Sequence, residues 1–140
     1  MMLPAVNYLA VLVSGIVIFM LGGLWYSPVL FAKPWIALMG RTEEELRARA
    51  KASSMPAMYG TVFLCGLISA FVLAMVIQAF GAEDAVAGAC VGLLCWLGFA
   101  GATSFGSSLF SFEPMKLWLI NSAYNLVSFV LAGVILGVWR

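Results

Sequence analysis

Four long stretches without a charged side chain restrict the fold of this chain more than any other feature. They cover about residues 3–26, 56–80, 85–108 and 117–138, and none of them contains Asp, Glu, Lys or Arg. A helix needs about 20 apolar residues to cross the roughly 30 Å hydrocarbon core of a bilayer. It satisfies its own backbone hydrogen bonds there, which an isolated strand does not. The sequence therefore predicts an all-α, multi-pass membrane protein with four transmembrane helices in a single domain, residues 1–140.

The overall composition favours the same class. Hydrophobic residues make up 64% of the chain and charged residues 9%, whereas soluble domains carry about 25% charged residues. The first stretch has no basic residue before it and is longer than the apolar core of a signal peptide. We therefore expect it to persist as a helix of the mature protein.

Basic residues lie almost entirely on one side of the four helices. The side formed by loop 27–55 and by the last interhelical turn carries Lys33, Arg41, Arg47, Arg49, Lys51 and Lys116. The other side carries Arg140. Because basic residues concentrate in cytoplasmic loops, loop 27–55 is predicted to face the cytoplasm. Both termini are then predicted to lie outside the cytoplasm, with the protein in the cell (inner) membrane.

Loop 27–55 contains two local signals. Pro28 ends helix one, and this leaves Trp25 and Tyr26 at the membrane surface, where aromatic side chains anchor helices. Both are candidate ligand contacts. Further along, Thr42 is followed three positions later by Glu45, which is the capping-box pattern. It predicts a short, charged amphipathic helix in the cytoplasm between helices one and two.

Small residues are most frequent in the third stretch. Gly88 and Gly92 form a G-x-x-x-G pattern, which is typical of membrane helices that approach closely. The pattern does not identify the partner helix. Because symmetric self-association is common among oligomers, we expect these small-residue faces to form a homo-oligomer.

Polar residues inside the stretches are the remaining candidates. Asn121, Asn125 and Ser128 share one face of helix four at positions i, i+4 and i+7. Helix one contributes Asn7 and Ser14. Such residues either hydrogen-bond between helices or line a path for a polar solute, and the sequence leaves both alternatives open.

An internal repeat is a further hypothesis. Residues 71–77 and 129–135 agree at every position but one, and the end of helix one aligns with the end of helix three. Two hairpins of the same direction would form a 2+2 parallel repeat. The alignment places Lys33 on Glu113, which predicts an ion pair between them at the cytoplasmic mouth.

Several chemistries are disfavoured. The chain has no histidine, which removes the commonest general base and metal ligand, so we predict no catalytic residue, no metal and no cofactor. Cys65, Cys90 and Cys95 lie inside helices, where we expect them to pack as small apolar side chains. The expected partners are the lipid bilayer and further copies of the chain, and no nucleic acid.

A set of short elements together resembles the domain of unknown function 1761 family. They are Asn7, residues 22–35 with Trp-Tyr-Ser-Pro and Phe-x-Lys-x-Trp, and residues 112–116 and 119–125. The resemblance covers nearly the whole chain. It implies four helices and membrane residence in bacteria and fungi, and it implies no activity, substrate or catalytic residue.

Three classes of function follow. The first is a structural or interaction protein that acts as a homo-oligomer, which we expect. The alternative is a small transporter or channel subunit with a polar path along helix four, although the helices lack the intramembrane acid or base that proton-coupled transport uses. A membrane enzyme is disfavoured because the usual proton-transfer residues are missing.

Overall fold

The computed structural model describes residues 2–140, and within that range it contains six helices and no strand. The helices are α1 (Tyr8–Trp25), α2 (Ala32–Leu38), α3 (Glu43–Ala52), α4 (Met55–Phe80), α5 (Ala85–Phe110) and α6 (Met115–Val138). The helices α1, α4, α5 and α6 are long and apolar enough to cross a membrane. The prediction of an all-helical chain with four helices able to span a membrane is confirmed.

The first helix begins later than predicted. We expected it to start near residue 3 and to contain Asn7, but Asn7 is the N-cap of α1 and lies outside the helix. Its Oδ1 accepts hydrogen bonds from the backbone N–H groups of Leu9, at 3.0 Å, and Ala10, at 3.2 Å. An asparagine oxygen that satisfies the free N–H groups of the first turn fixes the start of a helix, and hydrophobicity alone does not reveal this.

The segment between α1 and α4 folds into two short helices. Gly40 follows α2 with a φ of 69°, a conformation that suits glycine at the end of a helix. Thr42 then caps α3, because its hydroxyl accepts a hydrogen bond from Glu45 N at 3.1 Å. The predicted Thr42 cap is thus confirmed, whereas the amphipathic character of α3 and its cytoplasmic position stay predictions.

The closest packing in the molecule joins α5 to α6. A Cβ atom added to Gly88 would collide with the carbonyl oxygen of Gly133, and one added to Gly92 would collide with that of Phe129. A Cβ atom on Gly137 would lie 3.0 Å from the Cα atom of Gly88. The G-x-x-x-G pattern therefore packs against a second helix of the same chain, where the two backbones touch directly.

Helix α5 changes its winding halfway along. Residues Trp96–Gly101 are π-helical, so one extra residue is accommodated and the later side chains turn by about 100° around the axis. In a regular α-helix Ser104 and Ser108 would lie about 120° and 160° from Gly92, but with one extra residue they lie at about 20° and 60°. The π-helical turn therefore directs the serines of the second half of α5 toward α6.

Helix α1 completes the bundle by packing against both α4 and α6. Gly15 lies against Leu67, and Gly66 lies against Ile18. Helix α1 also contacts α6, where the Tyr124 hydroxyl donates a hydrogen bond to the Ile18 carbonyl at 3.0 Å. The spans thus form two hairpins, α1 with α4 and α5 with α6, joined through α1 and α6; the sequence repeat between them stays a prediction.

Because α5 and α6 are in such close contact, we expect the stability of the protein to be sensitive to a single methyl group added at Gly88. Replacing Gly88 with alanine should lower the free energy of unfolding by about 1–3 kcal/mol, because overpacking forces the backbones apart. Thermal unfolding in detergent measures the effect. The control is Gly60→Ala, since a Cβ atom at Gly60 meets nothing within 4 Å; equal melting temperatures for the two variants would contradict the packing.

Candidate functional site: a polar cavity between α5 and α6

A cavity of about 410 Å³ lies between the second half of α5 and the first half of α6. We call it the α5–α6 cavity. Its lining residues are Ser104, Ser107, Ser108, Ser111, Glu113, Trp118, Asn121, Ser122 and Asn125. Ser107 and Ser111 are exposed, whereas Ser108 and Ser122 are buried, so the cavity opens outward on one side and has a closed wall on the other.

The serines on α5 use their hydroxyl protons within their own helix. Ser107 Oγ donates to the Thr103 carbonyl at 3.1 Å, Ser108 Oγ to the Phe105 carbonyl at 2.7 Å, and Ser111 Oγ to the Ser107 carbonyl at 3.1 Å. A serine hydroxyl has one proton and two lone pairs. These three residues therefore present hydrogen-bond acceptors to the cavity.

Two tryptophans hold α5 and α6 in register around the cavity. Trp118 Nε1 donates to Ser104 Oγ at 3.0 Å, and Trp96 Nε1 donates to the backbone carbonyl of Ser122 at 3.1 Å. The Ser122 hydroxyl itself is buried and has no hydrogen-bond partner within the protein. A buried hydroxyl without a partner costs about 1–3 kcal/mol, so a water or a ligand in the cavity would stabilise it.

The cavity reaches deep into the bundle. Asn125 lies about 10 residues beyond the start of α6, or about 15 Å along its axis, which is about half of the hydrocarbon thickness. Asn125 also lines a second, smaller cavity of about 40 Å³ together with Ser69 and Ser128. Polar groups thus continue from the α5–α6 turn to the middle of the bundle.

The aromatic stretch after α1 holds the outer part of α6. Tyr26 donates from its hydroxyl to Asn121 Oδ1 at 2.8 Å, and Trp25 Nε1 donates to the Ile120 carbonyl at 3.0 Å. Burial and the neighbouring Tyr124 raise the pKa of Tyr26 to about 12, so its hydroxyl stays protonated and remains a donor. With its oxygen engaged by Tyr26, Asn121 has its amide N–H groups left to donate.

The candidate residues from the sequence fall into two groups. Asn121 and Asn125 line the cavity, and Trp25 and Tyr26 bind the helix that carries them. At the far end of the bundle, Asn7 Nδ2 donates to the Arg140 carbonyl at 3.4 Å. Ser14 is fully buried without a hydrogen-bond partner and is not among the residues that line either cavity.

The expected ion pair between Lys33 and Glu113 is not formed. The ion pairs within residues 2–140 join Arg47 to Glu43 and Arg140 to Glu83. Lys33 is exposed, and Glu113 is half-buried at the outer edge of the α5–α6 cavity. The acidic side chain therefore faces the cavity without a basic partner.

The serines of α5 are the functional candidates that the sequence analysis missed. Ser104, Ser107, Ser108 and Ser111 are spaced i, i+3, i+4 and i+7, which places them on one helix face. That spacing was readable in the sequence. The π-helical turn that points this face at α6 was not.

No group that could hold a metal ion occurs within residues 2–140, as far as His, Cys, Asp and Glu are concerned. All three cysteines are free thiols, with Cys65 and Cys90 exposed and Cys95 half-buried. The chemistry of the site is therefore that of hydroxyl, amide and carboxylate groups around a cleft.

The hydrogen bond between Tyr26 and Asn121 can be tested by removing one oxygen atom. Tyr26→Phe should lower the free energy of unfolding by about 0.5–1.5 kcal/mol, because a part-buried hydrogen bond is lost. Thermal unfolding in detergent measures it. Tyr59→Phe is the control, since Tyr59 is exposed and its hydroxyl makes no hydrogen bond within the described residues; an equal loss in both variants would argue against the bond.

Comparison with known proteins shows to which family the chain belongs. No curated protein and no solved structure matches the chain. A family model described as "Protein of unknown function (DUF1761)" matches residues 9–137, which is nearly the whole sequence and agrees with the resemblance found in the short motifs. The chain belongs to the DUF1761 family.

Proposed function

We propose that this membrane protein binds a polar solute in the α5–α6 cavity and acts as a small transporter or channel subunit. The observation that carries the proposal is the cavity itself, which has a polar wall from Glu113 to Asn125. A packed bundle without a pathway would need no such opening. Polar side chains at this depth generally face a bundle interior or a wet cavity.

The proposed route starts on the cytoplasmic side of the cell (inner) membrane. Lys33 and Lys116 lie at the same end of the bundle as the mouth of the cavity, and basic residues mark cytoplasmic loops. In this orientation both termini lie outside the cytoplasm. The role is non-enzymatic, which agrees with the lack of histidine in the sequence.

Cysteine labelling tests both the cavity and its orientation. In a chain whose three native cysteines are replaced, Asn125→Cys should react with a small, charged, water-soluble thiol reagent, because the cavity admits water to this depth. Leu131→Cys is the control, since Leu131 is 38% exposed on the outside of the same helix, where lipid would suppress ionisation of the thiol. The reagent is added to vesicles of each orientation.

The outcomes separate the two parts of the proposal. Reaction of Asn125→Cys from the face that also labels Ala48→Cys in α3 supports a cavity open to the α3 side. Equal protection at positions 125 and 131 would contradict a wet path. Reaction of Ala48→Cys from outside intact cells would reverse the proposed orientation and leave the cavity in place.

Self-association remains a second candidate function, on a small-residue surface of α5 that the chain itself does not cover. The G-x-x-x-G pattern is used inside the chain, but Gly98, Ala102 and Gly106 lie four residues apart on α5. A Cβ atom at Gly98 or Gly106 would meet nothing within 4 Å, and Ala102 is exposed. We call these three residues the open small-residue strip. Such strips let two membrane helices approach closely.

A double substitution on the strip tests self-association. Gly98→Leu with Gly106→Leu should convert an oligomer into a monomer, because two bulky side chains keep the helices apart. Light scattering of the purified protein in detergent and native mass spectrometry from nanodiscs measure the change. The control is Gly23→Leu, another glycine without neighbours within 4 Å; an unchanged mass for the double variant would contradict the strip as an interface.

A further inference from the structure

We infer that the α5–α6 cavity is a binding site for a small organic cation of the alkylammonium class, held at its outer end by Glu113. The inference rests on the proposed function and names the class of solute. It follows from the charge, the hydrogen-bonding groups and the size of the cavity, taken in turn.

The formal charge of the cavity wall is negative. Among its lining residues Glu113 is the one with a charged side chain, and this carboxylate has no ion-pair partner within residues 2–140. An anion would meet this uncompensated charge at the entrance. A cation would neutralise it, and the attraction is stronger in a partly desolvated site than in water.

The serine hydroxyls on the α5 wall have the same preference. The hydroxyls of Ser107, Ser108 and Ser111 are committed as donors to backbone carbonyls, so lone pairs face the cavity. An ammonium group offers donors and has no acceptor. Three acceptors next to one carboxylate are thus complementary to an ammonium head and repel a phosphate or a carboxylate.

A local backbone conformation holds Glu113 at the entrance. Phe112 has a φ of 54°, a left-handed conformation that is unfavourable for a residue other than glycine. The turn is closed by hydrogen bonds from Glu113 N to the Ser108 carbonyl, at 3.0 Å, and from Phe112 N to the Leu109 carbonyl, at 3.3 Å. This turn ends α5 and leaves Glu113 beside the serines that line the cavity.

The size and the aromatic wall favour an organic cation over a bare metal ion. A volume of about 410 Å³ falls within the range of roughly 300–1,000 Å³ that is usual for sites of small organic molecules. Trp118 lines the cavity, and an indole ring attracts alkylammonium groups through its π-electrons. At the deep end the unpartnered Ser122 hydroxyl and the Asn125 amide can bind a polar group of the solute.

The test measures binding of butylammonium, a primary alkylammonium with three N–H donors, to the full-length protein in nanodiscs by saturation-transfer-difference NMR, at constant ionic strength. We expect saturable binding to the native protein and weaker binding, by about tenfold, to Glu113→Gln, because the charged hydrogen-bond and ion-pair partner is lost. The matched control is Glu44→Gln, which removes an exposed acid from α3. Ethanesulfonate is the anionic probe of similar size.

Three results would overturn the inference: no saturable binding of butylammonium, equal affinity for ethanesulfonate, or equal affinity in Glu113→Gln and the native protein. Unfolding curves of Glu113→Gln show whether the variant folds, and Ser122→Leu, which fills the deep wall, provides a second variant that should also lose binding. Labelling at Asn125→Cys is independent of the cation. If it succeeds while butylammonium fails to bind, the cavity stands and the solute class is wrong; if both fail, the proposed function falls as well.

Discussion

The direct backbone contact between Gly88 of α5 and Gly133 of α6 is the constraint on which the rest of this structure depends. It brings the two helices together at the end of the bundle far from α3, where neither helix has room for a side chain. Helices in lipid gain little from apolar burial and depend on such close packing. Because this end is fixed, the π-helical turn at Trp96–Gly101 decides where the other half of α5 points. The cavity therefore exists because one half of the hairpin is fully packed and the other is not.

Serine suits this unpacked half for a physical reason. A serine that donates to a backbone carbonyl of its own helix carries no free donor into the membrane, so Ser107, Ser108 and Ser111 can face a cleft without a protein partner. Ser122 on the opposite wall has no such bond. A molecule in the cavity could therefore gain a hydrogen bond to Ser122 on the wall of α6, whereas the hydroxyl protons on the wall of α5 are already used.

The sequence predicted the spans well because their length and lack of charge are local properties. It also predicted the cap at Thr42, since capping depends on residues three positions apart. It failed where the outcome depends on a second helix or on winding. The G-x-x-x-G pattern does not identify the helix that it contacts. An apolar sequence likewise gives no signal for a π-helical turn. The sequence analysis found Asn121 and Asn125 as candidates, but it did not find the serines of α5 that lie opposite them.

The geometry of α5 also separates solute binding from self-association. At about 100° per residue, Gly106 lies about 40° from Ala102 around the helix axis, whereas Ser104 and Ser108 lie about 200° and 240° from it. The open small-residue strip and the cavity wall are thus on opposite sides of the same helix. A second copy of the chain on the strip would therefore leave the cavity open. Since α5 is held to α6 by glycine contacts at one end and by the hydrogen bond between Trp118 and Ser104 at the other, its position beside the cavity does not depend on the strip, and association and solute binding would use separate surfaces of one helix.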